Sequence, residues 1–336
     1  MMNALNVCPS TLEAGHATYS PSARKRLFDG QAVSHVLPYE SSTASGMRTA
    51  LNDSRKRLSL SGAQAKYPMT LDGGALRLTE ENETGTFILK PMLTDFEHAE
   101  FGPANEHLTM QIAGQVFHMP TAANALCFFR NGEAAYLTRR YDINADGSKT
   151  LQEDFASLAG VTSETHGRDF KYDALTYEEL AGIVRQYIST WRIDLVRFYD
   201  IILFNFLFAN GDAHIKNFSV LRRPNGDYGL APAYDLINTQ LHLPDDSVFA
   251  LSRELFVGND QHKELNMNTG RTFGEFGVRI GLSERIVDKE LQRFCGDYPQ
   301  IEELVSRSFL SDFLKAKYLD IYHLRKRRLS SRLDEQ

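Results

Sequence analysis

The sequence predicts a two-lobed α+β fold, with a sheet-rich lobe in the first half of the chain and a helical lobe in the second. Three observations carry this. Short strand-like runs broken by glycine-containing turns crowd between residues 67 and 138. Helix-capping signals ahead of amphipathic runs dominate from residue 176 onward. Between them a short segment at 139–145 fits neither pattern and reads as the crossing from one lobe to the other.

Taken in order, residues 1–56 are rich in Ser, Ala, Gly and Pro with weak periodicity. We expect a loosely structured lead-in packed on the N-terminal lobe, carrying the basic cluster Arg24-Lys25-Arg26. Tyr67 to Leu71 and Ala75 to Leu78 flank the turn Asp72-Gly73-Gly74 and form a hairpin. Thr86 to Lys90 is a further strand, 104–117 is helical, and Ala122 to Phe129 and Ala134 to Thr138 flank Arg130-Asn131-Gly132-Glu133 as a second hairpin. The N-terminal lobe thus runs over 57–141 and the helical lobe over 142–336. Thr176-Tyr177-Glu178-Glu179 is a capping box opening a helix to about Ser189. Ile201 to Ala209 is apolar nearly all round, the mark of a buried helix. Ser283 caps a helix to Cys295, and Ser308 to Arg332 stays helical to the tail.

Composition narrows the function classes. With 336 residues, 42% hydrophobic and 24% charged, the chain can bury a full core. A net charge of −6 gives no overall nucleic-acid footprint; Arg325-Lys326-Arg327-Arg328 is a local basic run on a terminal helix. Cys8, Cys127 and Cys295 are scattered without metal-ligand spacing, which points to a reducing, cytoplasmic setting. No leader or bilayer-spanning run is found, so no membrane partner is expected.

The chemistry lies in polar residues delivered by apolar segments. In Asp212-Ala213-His214-Ile215-Lys216-Asn217 an Asp and an Asn stand at the spacing with which a kinase orients a hydroxyl and holds magnesium. Asp235, in Leu230-Ala231-Pro232-Ala233-Tyr234-Asp235, is a second metal-type carboxylate. Lys90 closes an apolar strand, from which an ammonium can reach the α- and β-phosphates of ATP. Asn105-Glu106 opens the only helix of the first half, so Glu106 can pair with Lys90 or simply favour the helix dipole. Ser59-Leu60-Ser61-Gly62-Ala63-Gln64-Ala65-Lys66 is a small-residue loop whose amides suit phosphate. Asp142 to Glu153 matches an EF-hand loop at several positions, but a strand precedes it and Lys149 occupies an aliphatic position, so it reads as a polar loop. The order of these features fits a kinase fold with ATP between the lobes.

Phe206-Leu207-Phe208-Ala209-Asn210-Gly211-Asp212-Ala213-His214-Ile215-Lys216-Asn217-Phe218-Ser219 and Leu230 to Leu236 closely resemble the two most specific signatures of the HipA-type serine/threonine kinases, toxins of bacterial toxin–antitoxin modules. Weaker matches are Ser59 to Lys66, Ile88-Leu89-Lys90-Pro91, Asn105-Glu106-His107 and Gln152-Glu153-Asp154-Phe155. The resemblance covers about residues 57–322, and it implies a HipA-like, two-lobed protein-kinase-like fold. The chain is too short for the additional N-terminal subdomain of longer HipA proteins and so looks like the short HipT form. Arg139-Arg140-Tyr141-Asp142 departs from the family's usual Glu-Arg-Phe-Asp at the hinge.

The resemblance implies ATP- and Mg2+-dependent phosphoryl transfer to a protein serine. In that reading Asp212 takes the acceptor proton and Lys216 neutralises the γ-phosphate; Asn217 and Asp235 bind Mg2+. The implied ATP-binding set is Lys90, Glu106, Ser61, Gly62, Ala63, Arg139, Tyr141, His214 and Tyr234, and Ser59 and Ser61 are autophosphorylation sites. The implied partners are a small HipS-like protein, a HipB-like DNA-binding antitoxin through which alone DNA is contacted, and an aminoacyl-tRNA synthetase substrate, tryptophanyl-tRNA synthetase for HipT. A small-molecule or lipid kinase with the same Asp-x-His-x-x-Asn arrangement, and a catalytically inactive kinase-fold binding module, are the alternatives.

Overall fold

The computed structural model describes residues 5–41, 66–92, 96–244, 248–252, 254–257 and 269–330. The expectations placed on Ser59, Ser61, Gly62 and Ala63 lie outside these residues. The first lobe is built on an antiparallel sheet of order β2-β1-β3-β5-β4, with β1 Tyr67–Asp72, β2 Ala75–Leu78, β3 Phe87–Lys90, β4 Asn124–Phe128 and β5 Ala134–Arg139. Both predicted hairpins are present, each closed by its glycine turn. Gly73 and Gly74 adopt φ of +54° and +82°, which side chains with a Cβ rarely do.

The described part of the lead-in, residues 5–41, contains a helix. Helix α1, Pro21–Phe28, starts where the Ser20 side chain accepts from the Ala23 amide and Pro21 supplies the first turn. It buries Ala23, Leu27 and Phe28 against Tyr67, Met69, Phe87 and Leu89 of the sheet. At eight residues it would not hold alone; that packing stabilises it.

On the other face lies α2, Gly102–Gln115, buried from Gly102 to Ala113. It begins two residues before the predicted start, at a Gly-Pro pair, so Glu106 stands beyond the first turn and the helix-dipole role does not apply. The helix joins the two halves. Asn105 Nδ2 donates to the Asn238 carbonyl at 2.8 Å, and Thr109 Oγ1 lies 3.0 Å from Tyr318 Oη.

Beside the mostly helical pattern expected there, the second lobe carries a three-stranded antiparallel sheet: β6 Gln152–Asp154, β7 Ser219–Arg222 and β8 Tyr228–Leu230. Short helices α3 Phe155–Leu158, α4 Ser163–His166 and α5 Phe170–Asp173 come after β6. Then come α6 Tyr177–Tyr187, opened by the predicted capping box of Thr176 and Glu179, and the buried α7 Trp191–Leu207. After residue 268 the chain forms α8 Thr269–Arg279, α9 Glu284–Phe294, α10 Pro299–Arg307 and α11 Asp312–Ser330. The expected helix from Ser308 starts only at Asp312, because Ser308 takes extended backbone and ends α10 instead.

Packing between α7 and α9 is not wholly apolar. Arg293 bridges Asp200 at 2.6 Å and Glu290 at 2.5 Å, while Asp200 Oδ1 is buried without a hydrogen-bond partner among the described residues. Burial pushes the Asp200 carboxyl up to about 7, with Arg293 opposing and Glu290 adding to the shift. Among the described residues, no helix is long and apolar enough to cross a membrane.

Candidate active site

The site is assembled where α7 ends, where β3 ends and where β8 runs out. At the end of α7, Ala209 takes φ +50°, its amide donates to the Phe206 carbonyl at 3.2 Å, and the Asn210 amide donates to the Asn205 carbonyl at 2.8 Å. This left-handed close turns the chain sharply out of the core. Asn210, 3% exposed, then organises the loops beyond the helix. Its Nδ2 donates to Asn205 Oδ1 at 3.0 Å and to the Asp235 carbonyl at 3.2 Å, and its Oδ1 accepts from the Asp212 amide at 3.2 Å. One buried amide therefore ties the loop of Asp212 to the loop of Asp235.

Lys90 ends β3 opposite Tyr136 in β5, with its ammonium 5.2 Å above the Tyr136 ring. Its side chain is 4% exposed, and its Nζ donates to Glu106 Oε1 at 2.6 Å and Asp235 Oδ1 at 2.5 Å. Lys66 Nζ donates to the other Asp235 oxygen at 3.2 Å. Burial disfavours the charge on Lys90, but Asp235 and Glu106 outweigh it and raise its pKa. Burial likewise opposes the Asp235 charge, yet Lys66 and Lys90 hold that carboxyl below the usual range. Burial pushes Glu106 up, with Lys90 opposing. Asp235 sits at φ +55°, a conformation rare for Asp, over-determined here by its two lysines and Asn210.

Asp212 is half exposed, 50% by side chain. Its Oδ1 accepts from the Tyr172 phenol at 2.6 Å, and its carbonyl accepts from Asn217 Nδ2 at 2.8 Å. That second bond fixes the amide of Asn217 and leaves Oδ1 as its acceptor. His214 is buried, 3.9 Å from Asp212 Oδ1; burial lowers its pKa, with Asp212 opposing. Lys216 Nζ donates to Asp154 Oδ2 at 2.7 Å; Asp154 ends β6 and caps α3 by accepting from the Ser157 amide.

A chain of hydroxyls lies beneath the crossing. Gln152 Nε2 donates to Ser219 Oγ at 3.2 Å, Ser219 Oγ lies 2.6 Å from Tyr234 Oη, and Tyr234 Oη donates to the Lys216 carbonyl at 2.9 Å. The Tyr141 and Tyr234 rings face each other at 6.2 Å. Burial raises both phenol pKa values.

The structure thus brings together Lys90, Glu106 and Asp235 in one cluster, Asp212, His214 and Asn217 in a second, and Tyr141 with Tyr234. Arg139 is elsewhere. Its guanidinium forks onto Asp29 at 2.8 and 2.9 Å beyond the end of α1, and it also reaches the Leu27 carbonyl. The Arg139 side chain is thus engaged with the end of α1, and any part it has in holding nucleotide would come through its backbone. The EF-hand-like segment is a polar loop in which Arg140 holds both oxygens of Asp142, at 3.0 and 2.7 Å. Sequence reasoning missed Lys66, Asn210, Asp154 and Tyr172 as site residues. The first three sit inside the motifs named above and could have been found there; Tyr172 carries no local signal.

Comparison with known proteins gives these arrangements a setting. A profile of the HipA-like C-terminal domain family matches residues 58–301. A Sinorhizobium fredii protein named "Putative kinase Y4mE" is 33% identical over 192 residues, covering 54% of this chain and 43% of that protein. The serine/threonine-protein kinase toxin HipA of Shewanella oneidensis is 24% identical over 264 residues, 74% of this chain and 57% of the toxin. The chain thus spans about half the length of these two relatives. Among solved structures, the Shewanella oneidensis HipA, HipB and operator DNA complex superposes with a TM-score of 0.62 at 22% identity, covering 81% of this chain and 64% of that one. The two chains share a fold.

Proposed function

This chain belongs to the HipA-like C-terminal domain family, matched over residues 58–301, and we propose that it is an ATP- and Mg2+-dependent serine/threonine protein kinase acting as a toxin. The observation that carries the reading is the Lys90 ammonium held between Glu106 at 2.6 Å and Asp235 at 2.5 Å. It is the arrangement of a phosphate-binding lysine with its supporting glutamate and a metal-type aspartate. The donors Asn217 and Asp235 offer hard amide and carboxylate oxygens, which fit Mg2+. When bound, the ion supplies charge neutralisation for the phosphates.

The chain's own residues do the rest. Lys90 would bind the α- and β-phosphates, with Glu106 supporting its ammonium, and Asp235 with Asn217 would hold the ion. Asp212 accepts the proton of the acceptor serine. Lys216, supported by Asp154, lies beside the γ-phosphate and balances the charge that builds there. Tyr141, Tyr234 and His214 wall the nucleotide site. Such catalysis rests on positioning and fixed charge.

The finer reading rests on the family resemblance. Ser59 and Ser61 are autophosphorylation sites, where about −1.5 to −2 charges per phosphate would repel ATP from a loop that includes Gly62 and Ala63. The partners are a HipB-like antitoxin, as HipB accompanies the Shewanella toxin, and a HipS-like small protein. The substrate is an aminoacyl-tRNA synthetase, tryptophanyl-tRNA synthetase by resemblance to HipT, so that transfer halts translation in the cytoplasm. The test is incubation of the protein with γ-labelled ATP in a cell lysate, with and without EDTA, beside the Asp212→Asn variant. One labelled synthetase band, lost with EDTA and in the variant, is expected. Label in a lipid extract, or none in any fraction, defeats the reading.

A further inference from the structure

Tyr172 lies outside every motif read from the sequence, yet its phenol donates to Asp212 Oδ1 at 2.6 Å. Asp212 is half exposed, so solvent alone could satisfy that oxygen. The phenol is instead fixed in place. Its ring meets the His214 ring edge-on at 5.2 Å, and Lys171 Nζ stands 4.8 Å above it. Its backbone is tied down too: the Ser252 amide donates to the Tyr172 carbonyl at 3.1 Å, and Ser252 Oγ donates to Asp173 Oδ1 at 2.7 Å.

A hydroxyl donating to the carboxylate of a general base is the geometry an acceptor must reach before its proton can move, at about 2.6–3.2 Å. We propose that Tyr172 is a positioning residue that occupies the acceptor-hydroxyl place on Asp212 Oδ1 and raises the acceptor's KM, because an incoming serine or water must compete with it for that oxygen. The inference rests on the kinase reading of Asp212. In the transfer after displacement, a bond forms between serine Oγ and the γ-phosphorus. The bond from that phosphorus to its bridging oxygen breaks with the electron pair leaving on ADP, and the serine proton passes to Asp212. With no acceptor protein present, water competes for the γ-phosphate alongside the chain's own serines, and Tyr172 stands where that water would be activated.

Tyr172→Phe keeps the ring against His214 and Lys171 and removes only the hydroxyl. Purified wild type, Tyr172→Phe and Tyr172→Phe/Asp212→Asn are assayed with Mg2+ and ATP, first without acceptor and then over a range of dephosphorylated casein. The expected result is an acceptor-free ATP hydrolysis rate raised roughly tenfold in Tyr172→Phe, the factor matching loss of a hydrogen bond to an ionised group. That rise is lost in the double variant. The casein KM falls by a similar factor while the KM for ATP is unchanged. Wild-type turnover that does not rise in Tyr172→Phe, or an unchanged casein KM with a lower kcat, overturns the inference and leaves the kinase reading standing. No ATP turnover by any of the three overturns both.

Discussion

Lys90 and Asp235, 145 positions apart in the chain, meet at 2.5 Å between the two lobes, and Glu106 on α2 completes the contact at 2.6 Å from the same ammonium. With both Lys90 and Glu106 only 4% exposed by side chain, the bond is a buried one. Breaking such a pair costs more than the pair contributes, because a charge is left behind without a partner.

Lys90→Met should therefore destabilise the fold by about 3–5 kcal/mol, the usual cost of orphaning a buried charge. Replacing Lys90 and Glu106 together by Met should recover most of that, since apolar pairs of similar volume are often as stable and Asp235 keeps Lys66 as its partner. Urea unfolding reads stability and γ-phosphate transfer reads activity. The double variant should regain the first and not the second; recovery of neither would mean that Lys90 matters here mainly for packing.

Asp212→Asn should leave stability within about 0.5 kcal/mol of the parent, as expected for a half-exposed side chain. Transfer should fall by a factor of about 100 to 10,000, the range a general base contributes. Single-turnover kinetics with saturating ATP separate this loss from weakened nucleotide binding, which should not change.

Asp200, packed between α7 and α9, makes a pH prediction. Its carboxyl is pushed up to about 7 in the folded protein by burial, with Glu290 adding and Arg293 opposing. An unfolded Asp titrates near about 3.9, so the folded state binds this proton more tightly. The contribution is complete below about pH 4 and is lost as pH rises to about 7. Asp200→Asn removes that slope. Urea midpoints at about pH 5 and about pH 8, on either side of the folded titration, should show the variant gaining on the parent at the higher value; an equal gap at both would contradict the burial argument.

Most of the candidate site was legible because the chemistry proposed for it dictates residue types at short spacing. Asp212 with Asn217, and Lys90 closing an apolar strand, are visible without a fold. The contacts that escaped the sequence depend on long-range placement. Lys66 reaches Asp235 across 169 positions, Lys216 reaches Asp154 across 62 and Tyr172 reaches Asp212 across 40, and no periodicity marks such pairs. β6 and β8 have three residues each, too few for alternation to show. Helix α1 escaped because packing on the sheet, and not propensity, sustains it; only the Ser20-Pro21 start was there to be read.

Arg139→Ala tests the structural role of that side chain. Its partner Asp29 is 68% exposed, so the forked pair contributes at most about 1 kcal/mol. The variant should loosen α1, seen as faster hydrogen exchange over 21–28, while ATP affinity stays within about twofold, a difference of roughly RT ln 2. A large loss of ATP affinity would return Arg139 to the nucleotide site.

Asp154 does two things at once, capping α3 through the Ser157 amide and holding Lys216 at 2.7 Å. The two can be separated. Asp154→Ser keeps an oxygen for the cap and removes the charge, whereas Asp154→Ala removes both. Losing the cap should cost about 1 kcal/mol, so only the alanine variant should lose stability. Losing the partner of Lys216 leaves a flexible ammonium, and slight misplacement of a catalytic group slows reaction by up to about 100-fold. Both variants should therefore transfer phosphate more slowly, and to a similar extent. If the serine variant restores the rate along with the stability, Asp154 acts by fixing the start of α3, and Lys216 finds its position without it.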